Sequence, residues 1–396
     1  TSMTMIVCAR ALQGLGGGGL LPISQSVLLE SFPKEQRGKS MAVFGLVIVV
    51  APILGPVLGG WITDNFDWTW VFLINIPIGI LTAYLAFELL EEPPYAQKQK
   101  GPVPIDGKGF FFLTIWLVTL QVALDKGNNQ DWFNSVFIIR LAIISVIAMI
   151  LFFWSQLTNK KSLLDLSVFK DKTFAAGTIM QVVIQAVLLA SVALLPQFLQ
   201  SLMGYTAFLS GMSMMPRGIG SMTATIVCAF IADRVDKRKL VVIGLLCLGS
   251  AGVAFGFLNL QIAQMNIMIP NCLMGFGLGL SMVPIINLSM ETLSNQQMTN
   301  ASGLQNLFKN IGGAIGTSLV ATMLTRFSQA HQYMMVGKLN ELNPAFVERV
   351  QSTTGALSQY TSIDMAQHMA NYSMYGTLIK QSTLWAFMDS FRIFGV

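Results

Sequence analysis

Charge is what this sequence has least of. Asp, Glu, Lys and Arg make up 11% of the 396 residues and 53% are hydrophobic, whereas soluble domains carry about 25% charged residues. Such a chain cannot face water on all sides, which excludes an ordinary soluble globule. Histidine is nearly absent: His331 and His368 are the only two, both in one polar segment. The four cysteines, Cys8, Cys228, Cys247 and Cys272, lie apart in apolar runs with no C-x-x-C spacing, which argues against a disulfide framework, and no metal site is expected. A membrane enzyme would need His, Asp or Cys groups converging near one face, and these are scattered. A sensor would need a soluble signalling domain, and no segment has that composition. The net charge of +5 sits in loops flanking the apolar runs, so it does not point to nucleic acid. The sequence opens without an initiator Met and both ends fall inside apolar runs, so it reads as part of a longer chain.

What is abundant is apolar sequence of bilayer-spanning length, about 20 residues a run. Ten spans and a truncated eleventh are expected, at 1–29, 40–62, 70–90, 109–124, 136–157, 174–200, 211–232, 240–259, 265–292, 301–324 and 382–396. No membrane-strand alternation is visible, so the fold class is all-α, a polytopic membrane protein. Loops 30–39, 91–108, 158–173 and 233–239 hold fourteen Lys and Arg residues, and the alternate set holds only Lys126. The positive-inside rule makes the first set cytoplasmic. Trp61, Trp68, Trp70, Trp132 and Trp385 then fall at outer ends and Trp154 at an inner end, as an aromatic belt requires. The long polar segment 325–381 lies outside, with amphipathic stretches such as Ala345–Val350. It reads either as a solvated cap or as a docking surface.

Residues 51–60, A-P-I-L-G-P-V-L-G-G, break the usual helix rules. An interior proline costs about 3 kcal/mol and a glycine about 1, yet Pro52, Pro56, Gly55, Gly59 and Gly60 fall within one apolar run. Ala51, Gly55 and Gly59 form a small-residue ladder of the kind that admits a second helix at close range. Two other glycine clusters, Gly16–Gly19 and Gly275-x-Gly277-x-Gly279, lie in apolar helices with no G-K-[ST] and are not nucleotide loops. The strings Gly14–Pro22 and Gly275–Pro284 hint at two related halves, a common plan for secondary transporters.

Several strings taken in order resemble one family. Arg10-Ala11-Leu12-Gln13-Gly14 looks like a fourth-helix R-x-x-Q-G motif. Gly55-Pro56-x-x-Gly59-Gly60 looks like a fifth-helix antiporter motif, and Trp68–Gly79 like the W-x-W-x-F-x-I-N-x-P-I-G string of a sixth helix. Leu124–Gly127 with Asp131-Trp132, Leu164–Phe169, and Leu195–Gln200 followed by Gly204-Tyr205-Thr206 and Gly211 fit linker helices, their exit, and a ninth helix. Together they resemble the 14-helix drug:proton antiporters of the major facilitator superfamily, the EmrB/QacA type.

The resemblance implies helices 4–13 and the start of 14, with helices 1–3 outside this sequence. Residues 1–92 would end an N-terminal six-helix half, 93–173 would hold two linker helices, and 174–396 would be the C-terminal half. It implies a proton-driven exporter in a bacterial inner membrane, with no cofactor besides the proton gradient. The cargo would be lipophilic small molecules, and in Gram-negative members a periplasmic adaptor and an outer-membrane channel would be partners. A dedicated metabolite, siderophore or fatty-acid exporter of the same fold is the alternative. Arg10, an intramembrane cation that costs several kcal/mol unless paired or watered, is implied in proton coupling. Asp389, with Arg392 at i+3, is either a second protonatable group or a satisfied ion pair. Arg217 and Lys309 read as snorkelling or structural cations. Gln13, Gln181, Gln185, Asn306 and Asn310 are candidates for the substrate cavity or for bonds between helices. The run Asp233, Arg234, Val235, Asp236, Lys237, Arg238, Lys239 resembles the superfamily's cytoplasmic gating loop, with Asp236 where that loop has glycine.

Overall fold

The structure, a computed structural model, describes residues 3–20, 24, 27, 54–89, 106–159, 164–231, 235–293 and 295–395. Every regular element among them is helical. In chain order they are α1 (Met3–Gly17), α2 (54–65), α3 (Trp70–Leu73), α4 (Asn75–Leu89), α5 (Gly107–Gly127), α6 (Val136–Thr158), α7 (Lys172–Ser201), α8 (Ala207–Ile231), α9 (Lys237–Phe255), α10 (Gln264–Met290), α11 (Asn295–Val336), α12 (Pro344–Leu357) and α13 (Ile363–Gly395). Seven described helices are long and apolar enough to cross a membrane. The protein is an integral membrane protein.

Aspartates start three of the spans. Asp106, Asp171 and Asp236 cap α5, α7 and α9, accepting from Gly109 N at 3.0 Å, Thr173 N at 2.7 Å and Arg238 N at 2.9 Å. Each satisfies amide donors that a helix start leaves free. The Phe174 amide, first among its partners, holds the Asp171 carboxyl below the usual range. The departure at Asp236 thus has a local reason: glycine there would lack the side-chain oxygen that accepts from Arg238 N.

Helices α7 to α11 and α13 pack around one apolar core. Leu194, Leu195, Phe198, Phe255, Phe387 and Phe391 are all fully buried in it. Phe255 stacks on Phe391 at 5.0 Å between centroids, and Phe198 meets Phe387 edge-on at 5.4 Å. The glycine cluster of α10 explains how three helices fit side by side. Residues two apart point to opposite sides of a helix, so Gly275 and Gly279 face α8 while Gly277 faces α9. A Cβ on Gly275 would sit 2.8 Å from Arg217 Cα, and one on Gly277 2.6 Å from the Gly244 carbonyl oxygen. Pro196, Pro216, Pro270 and Pro284 all lie inside these helices, where packed neighbours can make good the lost backbone bonds.

Helices α5 and α6 pair through Trp116, Phe152 and Ala148 and dock on α11. Ser318 donates to the Leu124 carbonyl at 2.8 Å, Trp132 Nε1 to Thr322 Oγ1 at 3.2 Å, and Asn128 to Thr325 Oγ1 at 2.9 Å. Asp131 ion-pairs with Arg326 of α11. Its carboxyl is held below the usual range, first by Asn134 and then by Arg326. Asp131 and Trp132 adopt φ of 52° and 53°, a turn that folds the indole over Gly127.

The polar segment 325–381 is largely helical. Residues 325–336 continue α11, residues 363–381 belong to α13, and α12 lies between them against α13. At 42 residues α11 is about 60 Å long, roughly twice a hydrocarbon core. A hydropathy window stops where the helix leaves lipid, but the backbone hydrogen bonds do not. The outer part is therefore a helical stalk that shows Tyr333, Leu342, Tyr360 and Tyr372 to solvent.

Candidate functional site

Arg10 sits on α1, exposed, with its Nη1 donating to Gln13 Oε1 at 2.8 Å and its guanidinium 4.6 Å from the Phe72 ring centroid. The i,i+3 spacing makes the first contact and the turn entering α3 makes the second. Arg10, Gln13, Trp68, Phe72 and Asn75 line a cavity of about 600 Å³. The fourth- and sixth-helix strings of the sequence thus meet at one site, while Gly14 has open space beside it.

The antiporter segment meets α8. Pro52 lies outside the described residues. A Cβ on Gly60 would lie 2.8 Å from Phe208 Cα, and one on Gly211 2.7 Å from the Pro56 carbonyl carbon. Pro56 and Gly60, one turn apart, therefore form the close-packed face. Among the described residues Gly55 and Gly59 meet nothing within 4 Å, so the approach to α8 does not use these two members of the ladder expected from spacing. Small-residue spacing marks a face that can pack closely; which face does so depends on the partner.

Arg217 fits the structural of the two readings open for it. It is buried rather than snorkelling, at 7% exposure. Its Nε donates to Asn271 Oδ1 at 2.8 Å, Nη1 to Ser191 Oγ at 3.1 Å, and Nη2 to Met274 Sδ at 3.1 Å. Asn271 in turn donates to the Ser213 carbonyl at 2.7 Å. A cation is thus held by neutral groups from α7 and α10, tying both to α8. A lone Arg after Pro216 in an apolar run was the available signal, but its partners lie 26 and 54 residues away.

Asp389 has two basic neighbours. His331 Nε2 lies 2.8 Å from one carboxylate oxygen and Arg392 Nη1 3.3 Å from the other. Arg392 also covers the Phe257 ring at 5.5 Å, and the His331 ring lies 6.1 Å from Trp385. The i,i+3 partner was legible; His331, on α11, was not.

The amides fall in separate places. Gln181 on α7 is buried, with Nε2 unpartnered, and Gln185 packs beside Gly313 of α11. Asn306 donates to the Ser302 carbonyl of its own helix at 3.0 Å. Asn310 lines a groove of about 270 Å³ with Gln121 of α5. On the end assigned to the cytoplasm, Lys237 pairs with Glu291 at 3.2 Å, joining α9 to α10, while Arg238 caps onto Asp236 through its backbone. Asp233 and Arg234 lie outside the described residues.

A family model described as the Major Facilitator Superfamily matches residues 1–317. The probable multidrug resistance protein EmrY of Escherichia coli (strain K12) is 34% identical over 351 residues, covering 87% of this chain and 67% of the relative. The multidrug export protein EmrB of the same strain is 30% identical over 381 residues, covering 94% and 71%. The fatty acid resistance protein FarB of Neisseria gonorrhoeae is 32% identical over 333 residues, covering 83% and 64%. The long helices, the glycine-packed core and these matches over most of the chain agree: the protein belongs to the Major Facilitator Superfamily, in the branch that includes EmrB and EmrY.

Proposed function

We propose that this chain carries out multidrug efflux, exporting hydrophobic or amphiphilic compounds across a bacterial inner membrane by alternating access, driven by the proton gradient. The observation that carries the reading is the similarity to EmrY and EmrB over most of the chain. Export here is transport without covalent chemistry. Arg10 with Gln13 and the Asp389–His331–Arg392 cluster are the proposed proton-handling groups, because ionisable side chains in apolar surroundings respond to proton binding with large changes in local energy. The test is export of a fluorescent lipophilic dye by membrane vesicles of the full-length protein. Dye accumulation is expected to collapse with the pH gradient and to be impaired and pH-shifted by Asp389→Asn. Export that ignores the gradient would overturn the coupling, and a wild-type pH profile in Asp389→Asn would remove that residue from it.

A fatty-acid exporter is the second reading, favoured by the match to FarB. Competition between dye and medium-chain fatty acids separates the two.

The stalk of α11, α12 and α13 is the proposed docking surface for a periplasmic adaptor that leads on to an outer-membrane channel. Its exposed Tyr333, Leu342, Tyr360 and Tyr372 are the large amphipathic side chains that interfaces favour. Deleting 330–375 is expected to abolish co-purification of the adaptor while vesicle export persists. Adaptor retained by the deleted protein would overturn this role.

A further inference from the structure

The start of α8 is capped by a residue from another part of the chain. A helix start leaves four backbone N–H groups without helical acceptors. In α8 these have identifiable partners. Asp64, in the last turn of α2, accepts from Ala207 N at 3.2 Å through one oxygen and from Phe208 N at 2.8 Å through the other. Thr206 Oγ1 accepts from Leu209 N at 3.3 Å, and the Thr206 carbonyl from Ser210 N at 3.0 Å. Two of the four donors therefore depend on a carboxylate 143 and 144 residues away in sequence. The same junction holds the closest backbone packing of the segment, Gly60 on Ala207 and Phe208, and Gly211 on Pro56.

These contacts lie at the end of the molecule that the charge count assigns to the outside. α2 belongs to the proposed N-terminal half and α8 to the C-terminal half. Alternating access requires that the halves part at the outer face when cargo leaves, and that parting separates Asp64 from α8. The glycine contacts are short-ranged and uncharged. The carboxylate adds a directional bond and a favourable interaction with the positive end of the helix dipole.

We propose that Asp64 is the outer-gate latch of this transporter, a positioning residue that holds α2 and α8 together in the outward-closed state and must release α8 for the exporter to open outward. The proposal rests on the alternating-access reading. The latch is set by an ionised carboxylate. The Phe208 amide, followed by Thr206 and Ala207, keeps the Asp64 carboxyl below its usual range. A lowered value means that the latch is present above the ordinary carboxylate pKa and is lost as the outer pH falls through the lowered one. Asp67 is the nearest other charge along the chain, and residues 201–216, leading into and along α8, carry none.

The experiment measures conformation directly, without cargo. Spin labels placed at Asp67→Cys and Ser201→Cys in the full-length protein report the outer gap in lipid nanodiscs. Asp64→Ala is expected to shift the population towards the longer distance about fivefold, the usual effect of losing a helix cap, and Asp64→Asn, which keeps one acceptor oxygen but loses the charge and the second acceptor, to shift it less. Asp64→Glu is expected to restore much of the short-distance population, which a purely steric role would not produce. Lowering the outer pH is expected to lengthen the distance in wild type and to leave Asp64→Asn unchanged. A distance distribution unaffected by Asp64→Asn would overturn the latch, even if dye export fell. Failure of the multidrug reading would leave these distances readable, so the two can fail separately.

Discussion

Gly275→Leu is expected to leave no stable folded protein, and Gly275→Ala to cost several kcal/mol. The α-carbon hydrogens of Gly275 face the backbone of Arg217, whose Cα would lie 2.8 Å from an added Cβ. A backbone cannot rotate away as a long side chain can. The alanine variant must therefore push α8 and α10 apart, and leucine adds more volume at the same point. Overpacking alone costs about 1–3 kcal/mol. The separation also breaks a network held by two short bonds, Arg217 to Asn271 at 2.8 Å and Asn271 to the Ser213 carbonyl at 2.7 Å. Removing partners from a buried cation in an apolar medium adds a penalty larger than a neutral hydrogen bond would. The measurement is the yield of monodisperse protein and its thermal unfolding in detergent. Gly355→Ala, where nothing lies within 4 Å, is the matched control and is expected to be neutral. A Gly275→Ala protein as stable as wild type would show that the α8–α10 contact is looser than described.

Arg10→Ala is expected to lower dye export at least tenfold while leaving the folded protein intact. Stability should change little, because the side chain is exposed and, among the described residues, makes one hydrogen bond, to Gln13 at 2.8 Å, and one cation–π contact, to Phe72 at 4.6 Å. Each is worth only about 1 kcal/mol at such a site. In the proposed role it is the charge itself that acts on transport, by moving the local potential that a protonatable partner or a charged ligand experiences. Arg10→Lys should keep the charge but lose the planar fork, giving an intermediate rate. Gln13→Ala should cost less than Arg10→Ala, since it removes an orienting partner and keeps the cation. Initial rates in vesicles, normalised to folded protein, decide it. Unchanged export by Arg10→Ala would remove Arg10 from the mechanism.

The α-helical class and the membrane setting were legible without coordinates because both follow from local quantities. Scarcity of charge excludes water, and run length sets the spans. The alternation of Lys and Arg assigns the sides. Arg10 was legible for the same reason, since a charge in an apolar run is visible in one dimension. The site around it was partly so: the Trp68–Gly79 string was recognisable, but not that Phe72 would cover the guanidinium. The amphipathic stretches of the polar segment 325–381 pointed to helix, but not to the continuity by which α11 and α13 run on past the apolar limit as exposed helix.

What sequence alone determined here is therefore the all-helical class and the membrane setting, together with the charges that stand out in apolar runs. Tertiary structure decided which faces meet. It chose Pro56 and Gly60 rather than Gly55 and Gly59 for the seam with α8. It gave Arg217 its neutral partners on two other helices, and brought His331 to Asp389 across 58 residues. It also set Asp64 on the free amides of α8. A helix is written in neighbours one turn apart, so its existence is local. The rotation and depth at which two helices pack depend on all the side chains along both surfaces at once, and no short stretch of sequence contains them.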